Sequence, residues 1–238
     1  MKNDGFTLIE CLLGLALSLV VITAGFEFFV RAQKVFTRLK DREESGQAAL
    51  AALDRMRIDL LHAGRGLSSE IGLGLVTAAE ASAEELRTTS LEKELRLSAE
   101  AHAGDTRLFL VSTTDVAVGQ RLTLREGPAG EARTITRVEA GAIIIDAPLV
   151  RDYAPASATL SLLELVSYFV DRPSRILRRR VNTASAQPML ENTAAAAWSL
   201  DPIAPLVRIR LEIGVEGVHP HEATVFLKNL ALAEKFGT

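Results

Sequence analysis

The chain is predicted to adopt an α+β fold, in which one long N-terminal helix packs on an antiparallel β-sheet that carries a small inserted β module. Two observations predict this fold. An almost unbroken apolar run covers residues 6–30 and becomes an amphipathic helical pattern up to about Ala63. After Gly66 the hydrophobic period changes from 3.6 to 2, in short runs that are separated by glycine-containing turns.

The apolar run is long enough to cross a membrane. Glu10 and Glu27 are the only acidic or basic residues between Phe6 and Val30. At about 1.5 Å per residue, the run spans the ~30 Å hydrocarbon core of a bilayer. A carboxylate within such a helix costs about 2–4 kcal/mol on insertion scales and usually marks function, so Glu10 is a candidate functional residue.

The helix is predicted to continue through most of residues 31–66. Lys40–Glu44 and Arg55–Asp59 are i,i+4 pairs, each worth only a few tenths of a kcal/mol. Glycines at both ends of residues 64–66 supply the stop signal. We expect one apolar stripe of this half to dock on the rest of the chain. Its members are Val35, Phe36, Leu39, Ala49, Leu50, Leu53, Met56, Leu60 and Leu61.

The composition fits a membrane-tethered globular protein. The chain has 238 residues and a net charge of −3, so its bulk charge favours neither nucleic acid nor anionic lipid as a partner. Roughly 170 residues follow the long helix, enough for one sizeable core or two small modules. The single cysteine, Cys11, lies in the apolar run, which excludes an intrachain disulfide.

Residues 67–238 are predicted to form a β-rich domain, with a possible inserted module at 100–152. Residues 71–75 have a loop-like composition, and residues 80–100 alternate enough to favour strands. Short β runs with turn signals between them predict the compact module. These runs are Leu108–Ser112, Arg121–Arg125, Arg133–Val138 and Ala142–Asp146.

A second antiparallel set is predicted after the module. The link Asn182–Pro205 is rich in Ala, Pro, Ser and Asn, and is predicted as a mobile loop with a short helical piece near Glu191–Trp198. The predicted strands are Leu160–Val170, Ile176–Val181, Leu206–Ile213 and Ala223–Leu230.

The N-terminus resembles that of type IV prepilins. The matching stretch is residues 5–10, Gly-Phe-Thr-Leu-Ile-Glu, which a short polar leader containing Lys2 precedes. The resemblance implies that a prepilin peptidase removes residues 1–5 by cutting between Gly5 and Phe6, and that Phe6 becomes an N-methylated terminus. It also implies that Glu10 meets the N-terminal amine of a neighbouring subunit during assembly.

The resemblance further implies a structural subunit in the inner membrane. Residues 6–30 would be the transmembrane half of the helix, 31–66 its amphipathic half, and 67–238 a periplasmic domain. The leading interpretation is a PilW-like minor pilin that helps to prime or assemble a type IV pilus. A J-type pseudopilin of a type II secretion pseudopilus is the alternative. Implied partners are other pilins or pseudopilins, the peptidase and inner-membrane lipid, without nucleic acid.

A signal peptide or a generic membrane anchor fits the N-terminus less well. The apolar run is too long for a secretory signal peptide. A bitopic anchor that carries a periplasmic ligand-binding domain fits the length but leaves Gly5 and Glu10 unexplained. The charge distribution opposes export, because five basic residues follow the run and only Lys2 precedes it. These five are Arg31, Lys34, Arg38, Lys40 and Arg42.

The sequence contains no constellation that indicates catalysis, and no cofactor is expected. Residues 219–221 (His-Pro-His) lack a third metal ligand at useful spacing. Residues 178–180 are three arginines, which we interpret as an outward-facing strand rather than a nucleic-acid site, since interleaved aromatic residues are missing. Tyr168 and Trp198 are predicted as core or interface residues.

Overall fold

The computed structural model describes residues 8–201, 203–214 and 219–236, and it divides into two compact units with their boundary between Gly46 and Gln47. The helices of the described residues are α1 Leu8–His62, α2 Ser68–Gly72 and α3 Lys228–Phe236. The first six strands are β1 Ala79–Ala81, β2 Glu85–Leu95, β3 Arg107–Phe109, β4 Arg121–Glu126, β5 Ala129–Glu139 and β6 Ala142–Ile145. The others are β7 Thr159–Asp171, β8 Ile176–Val181, β9 Gln187–Leu190, β10 Thr193–Leu200, β11 Leu206–Ile213 and β12 His221–Phe226.

These elements confirm the predicted α+β class, with one long apolar N-terminal helix and antiparallel sheets. The larger sheet has nine strands, with the path β1-β2-β7-β4-β5-β6-β3, and β8 and β9 join it through β7. The smaller sheet has the order β10-β11-β12. Every strand pairing within the two sheets is antiparallel.

Helix α1 is a single helix of 55 residues. Its predicted start at Phe6 lies outside the described residues, and its predicted end is confirmed to within one residue. Gly64, at a φ of +74°, adopts the left-handed conformation that closes many helices. The Asn229 side-chain amide donates to the carbonyls of Leu61 at 3.2 Å and Ala63 at 3.0 Å, which satisfies two acceptors at the helix end.

Burial of α1 begins at Ala49, so the predicted docking stripe is too long at its N-terminal end. Val35, Phe36 and Leu39 of that stripe are exposed, and Leu50 and Leu61, which were also predicted to dock, are exposed too. The buried positions follow the 3.6-residue period over the last turns of the helix. They are Ala49, Ala52, Leu53, Met56, Asp59 and Leu60.

The unit that starts at Gln47 contains two large hydrophobic clusters. The first combines the end of α1 with inward residues of both sheets, among them Leu86, Tyr168, Leu177, Ile209 and Leu211. The second is made by residues between Leu95 and Leu162, among them Leu108, Leu122, Leu124, Ile135 and Ile143. We call the chain segment 95–162 with this second cluster the β module.

Strand β7 contributes to both clusters with one face. Residues at even positions share a face because side chains alternate along a strand. Leu160 and Leu162 enter the cluster of the β module, whereas Val166 and Tyr168 enter the first cluster. Glu164 lies between these pairs and accepts a hydrogen bond from Ser90 at 3.2 Å. The two clusters are therefore joined through a continuous strand rather than a linker.

Several strands confirm the predictions closely, and one region corrects them. The predicted strands Ile176–Val181 and Leu206–Ile213 coincide with β8 and β11. The predicted loop at Asn182–Pro205 is wrong, since it contains β9 and β10, and the helical piece at Glu191–Trp198 is wrong too. Alanine favours helix over strand locally, but β10 pairs with β11 along its length, and this tertiary pairing overrides propensity.

Two smaller differences occur at helices that the pattern did not predict. Helix α2 occupies the start of the segment predicted as loop at residues 71–75. The predicted strand Ala223–Leu230 ends at Phe226 and is followed by α3. Leu227 separates the two elements, where it is fully buried and its amide donates to the Pro205 carbonyl at 2.7 Å. The apolar run at 223–230, predicted as one strand, therefore forms the end of β12 and the start of α3.

Candidate functional site

The first half of α1 presents an apolar surface that no other described residue of its own unit covers. Every residue from Leu8 to Phe29 is exposed, although most are apolar. The helix is long and apolar enough to cross a membrane. An isolated helix with this surface would be poorly soluble in water, so lipid or other helices are the environments that suit it. Large members of the surface are Leu8, Leu12, Leu15, Leu19, Ile22, Phe26 and Phe29.

Hydroxyl groups on this helix are satisfied without water. Ser18 Oγ donates to the Gly14 carbonyl at 2.8 Å, and Thr23 Oγ1 donates to the Leu19 carbonyl at 2.8 Å. Both bonds return one turn along the same helix. Because they provide internal partners, the two hydroxyls add little to the free energy of placing the helix in hydrocarbon.

The two carboxylates of the apolar run have different surroundings. Glu27 lies 3.8 Å from Arg31 across one helical turn, which provides a partial counter-charge. Glu10 lies in the first described turn of α1 with its side chain exposed. Gly5 and Phe6, the residues of the predicted processing junction, lie outside the described residues.

The docked end of α1 carries a buried acid, Asp59, whose side chain is only 8% exposed. Arg179 Nε donates to Asp59 Oδ2 at 2.7 Å, and the Tyr168 hydroxyl donates to the same oxygen. Arg55 lies 3.5 Å from Oδ1. Burial, and then the hydrogen bond to Asp59, raise the pKa of the Tyr168 phenol, so it remains protonated as a donor. This cluster fastens α1 to β7 and β8.

The three arginines at 178–180 are therefore only partly outward-facing, which corrects the prediction. Arg179 points inward to Asp59 with 13% of its side chain exposed. Arg178 pairs with Asp171 at 3.0 Å. Arg180 lies 3.5 Å from Glu85 and stacks 5.3 Å from the centre of the Phe169 ring. Each guanidinium has a partner within the chain.

The β module contains its own buried acid, which the sequence patterns do not reveal. Glu131 accepts hydrogen bonds from the Tyr153 hydroxyl at 3.0 Å and from the Val150 amide at 3.1 Å, and it pairs with Arg133. Burial, with the hydrogen bond to Glu131 next, raises the pKa of Tyr153. In the sequence, Glu131 stands out only as a polar residue within an apolar β pattern. That pattern does not identify Val150 and Tyr153 as its partners, because they lie 19 and 22 positions away.

A polar cleft of about 830 Å³ lies between the β1–β2 turn, the β7–β8 turn and β10. Trp198, which was predicted to be a core or interface residue, lies at the side of this cleft and is half-buried. Its Nε1 donates a hydrogen bond to the Ser82 carbonyl at 2.6 Å. Two ion pairs lie within its lining, Arg172 with Glu84 at 3.6 Å and Arg180 with Glu85 at 3.5 Å. Each charged residue that lines the cleft therefore has an oppositely charged neighbour within 3.6 Å.

The histidines do not form a metal site in the part of the chain that the structure describes. His221 begins β12, and its partner in the predicted pair, His219, lies two residues before it. Among residues 8–201, 203–214 and 219–236, no group of three or more His, Cys, Asp or Glu side chains could hold a metal ion.

No family model matches the chain, and no curated protein matches it. Among solved structures, it is similar over a short part to phage tailspikes. The gp54 tailspike of Acinetobacter baumannii bacteriophage AP22, in complex with A. baumannii capsular saccharide, is 8% identical over 32% of this chain and 15% of its own, with a TM-score of 0.28. The tailspike gp49 from Pseudomonas phage LKA1 is 20% identical over 31% of this chain and 14% of its own, with a TM-score of 0.28.

A third tailspike, gp61 of Pseudomonas phage phi297, is 18% identical over 31% of this chain and 14% of its own, with a TM-score of 0.29. The chain therefore matches about one seventh of the length of each tailspike. Similarity at these TM-scores carries no argument about the fold or function of this chain.

Proposed function

We propose that the chain is a minor pilin of the PilW-like kind, a structural subunit that primes or assembles a type IV pilus. One observation carries the proposal. A single helix joins an exposed apolar half, with Glu10 near its start, to a half that is fastened into a β-rich unit through Asp59. That combination suits a protein that must leave a bilayer and pack its helix against others.

The mechanism follows from the two environments that suit residues 8–30. In the unassembled subunit these residues lie in the inner membrane, and the β-rich unit lies in the periplasm. Assembly exchanges lipid contacts for contacts with the helices of neighbouring subunits. The processed N-terminal amine of Phe6 on one subunit pairs with Glu10 of another, which offsets the unfavourable burial of both charges.

Two alternatives share part of this evidence. A J-type pseudopilin of a type II secretion pseudopilus would use the same helix and the same junction. A bitopic anchor with a periplasmic ligand-binding domain is favoured by a different observation, the 830 Å³ cleft beside Trp198. The anchor would keep its leader, so processing separates it from both assembly proteins.

Processing of the leader is the first test of the proposal. Co-expression with an active prepilin peptidase is expected to remove residues 1–5 and add one methyl group to Phe6, as measured by intact mass. Gly5→Val is expected to block the cut, because the peptidase needs a flexible junction without a side chain. A wild-type leader that stays intact beside an active peptidase, with a known prepilin processed in the same cells, would favour the anchor.

Membrane topology is the second test. A periplasm-dependent reporter enzyme fused after Thr238 of the full chain is expected to be active, and a cytoplasm-dependent reporter at the same place is expected to be inactive. Protein levels of the two fusions provide the control. The opposite pattern would mean that the basic residues after Val30 set the orientation, as the positive-inside rule predicts, and would contradict the proposal.

A further inference from the structure

The basic residues that follow the apolar run lie mostly on one face of α1. Arg31, Lys34, Arg38 and Arg42 occupy positions i, i+3, i+7 and i+11 of the helix, and all four are exposed. At about 100° per residue, these positions fall within an arc of about 80°. We call these four residues the basic face. Lys40, the fifth basic residue, lies on the opposite side of the helix and pairs with Glu44 at 3.7 Å.

The basic face carries positive charge that the chain does not neutralise. Arg31 is 3.8 Å from Glu27, and both side chains are largely exposed. In the described part of the chain, Lys34, Arg38 and Arg42 make no ion pair or hydrogen bond through their side chains. The acidic neighbours of this face are Glu27 and Asp41. With four basic and two acidic residues, the face has an excess of two positive charges. The net charge of −3 for the whole chain conceals this local excess.

The position of the face along the helix indicates what it meets. Arg31 directly follows the apolar segment, so it lies where hydrocarbon gives way to phosphate headgroups. Lys34, Arg38 and Arg42 follow at about 4.5, 10 and 16 Å further along the axis. Membrane helices tilt by about 20° on average. A tilt towards the basic face brings the long side chains of Lys34 and Arg38 down to the headgroups, whereas Arg42 stays above them and acts on them only through its charge.

We propose that Arg31, Lys34 and Arg38 bind the phosphate groups of anionic phospholipids in the leaflet next to Arg31, and that Arg42 adds electrostatic attraction from further along the helix. Clusters of four to eight basic residues directly on the cytoplasmic side of a membrane helix bind anionic lipid in this way, and the same attraction between charges acts in whichever leaflet Arg31 faces. The inference rests on the membrane-spanning position of residues 8–30 that is proposed above. The positive-inside rule would keep these basic residues in the cytoplasm, which conflicts with export of the β-rich unit. Binding to anionic lipid in the periplasmic leaflet would give them a role after export.

The test measures lipid selectivity of the full-length chain in vesicles. The protein is reconstituted in phosphatidylcholine that contains a trace of spin-labelled phosphatidylglycerol or spin-labelled phosphatidylcholine. The ratio of the motionally restricted fractions gives the preference for the anionic lipid. For the wild type we expect a preference of about five-fold or more at low salt, one basic contact being worth about this factor. The preference should fall in 0.5 M NaCl.

Two variants with the same change in charge locate the effect. Lys34→Gln/Arg38→Gln removes the unpaired centre of the basic face and is expected to reduce the preference to near one. Lys40→Gln/Arg57→Gln removes two exposed cations away from this face and should retain the wild-type value. All four positions are exposed, so circular dichroism should show unchanged folding.

Each remaining outcome decides against the lipid assignment. Equal preference in the wild type and both variants, or equal loss in both variants, would show that the basic face is not the lipid site. Loss of binding to a partner subunit in Lys34→Gln/Arg38→Gln, without any lipid preference in the wild type, would assign the face to protein. Failure of the wild type to float with pure phosphatidylcholine vesicles would overturn the membrane span itself, and this readout is separate from selectivity.

Discussion

Asp59→Ala is expected to destabilise the unit that starts at Gln47 by about 3–5 kcal/mol, because it leaves the Arg179 guanidinium buried without its counter-charge. It also removes the acceptor of the Tyr168 hydroxyl, which is fully buried. For a unit of this size the melting temperature should fall by roughly 6–20 °C. Thermal unfolding of the full chain in detergent, followed by circular dichroism, measures the change.

Arg55→Ala supplies the matched control, since Arg55 touches the same carboxylate from the solvent side. Its side chain is half exposed, and its distance from Asp59 is 3.5 Å. Because Arg55 is half exposed and Asp59 keeps Arg179 and Tyr168 as partners when Arg55 is removed, the loss should be about 0–1 kcal/mol, as for exposed pairs. If Asp59→Ala lowers the melting temperature as little as Arg55→Ala does, the buried cluster does not fasten α1 to the sheet.

Glu10→Ala is expected to abolish assembly while leaving membrane insertion intact or easier. Insertion should not suffer, because the change removes a charge from the apolar segment. Assembly should fail because the Phe6 amine of a neighbouring subunit then lacks its partner between packed helices, where one unpaired charge costs about 3–5 kcal/mol. Cleavage after Gly5 should persist, since the junction is unchanged.

Two measurements separate these effects. Membrane fractionation reports insertion, and crosslinking to partner pilins in sheared filaments reports assembly. Glu27→Ala is the control, because Glu27 has a counter-charge on its own helix at 3.8 Å and is not assigned an intersubunit partner. A Glu10→Ala chain that crosslinks to partners and supports piliation as well as Glu27→Ala would remove the assembly role and leave α1 as an anchor.

The regular elements could be predicted from the sequence because their patterns are local. The period of α1 and the alternation in Ile176–Val181 and Leu206–Ile213 determine element type without knowledge of neighbours. Strand β10 could not be predicted, because its four consecutive alanines, Ala194–Ala197, have no alternation. Its strand conformation comes from pairing with β11, in which Ala196 faces Leu211.

Of the contacts of Asp59, the local one could be predicted from the sequence and the long-range one could not. The Arg55–Asp59 pair could be predicted from its spacing and is confirmed at 3.5 Å. The stronger partner, Arg179, lies 120 positions from Asp59, and no local pattern reports a contact over that separation. Glu10 stands out as a charge inside an apolar segment, and its role in assembly stays a prediction. The signal for Asp59 is similar but weaker, an acid on the buried side of α1 between Met56 and Leu60.

Strand β7 also decides how the protein carries mechanical load. A pull on the β module along this strand acts parallel to the strand axis and therefore shears the ladder with β2, which extends from Glu85–Phe169 to Leu95–Leu160. Hydrogen bonds in shear must break together, whereas bonds that are peeled from one end break in sequence. The load reaches Tyr168 and, through its hydrogen bond to Asp59, passes directly into α1. Load carried along β7 thus reaches α1 through the polar contacts of Tyr168 and Arg179 with Asp59 and through the apolar cluster that α1 and β7 share.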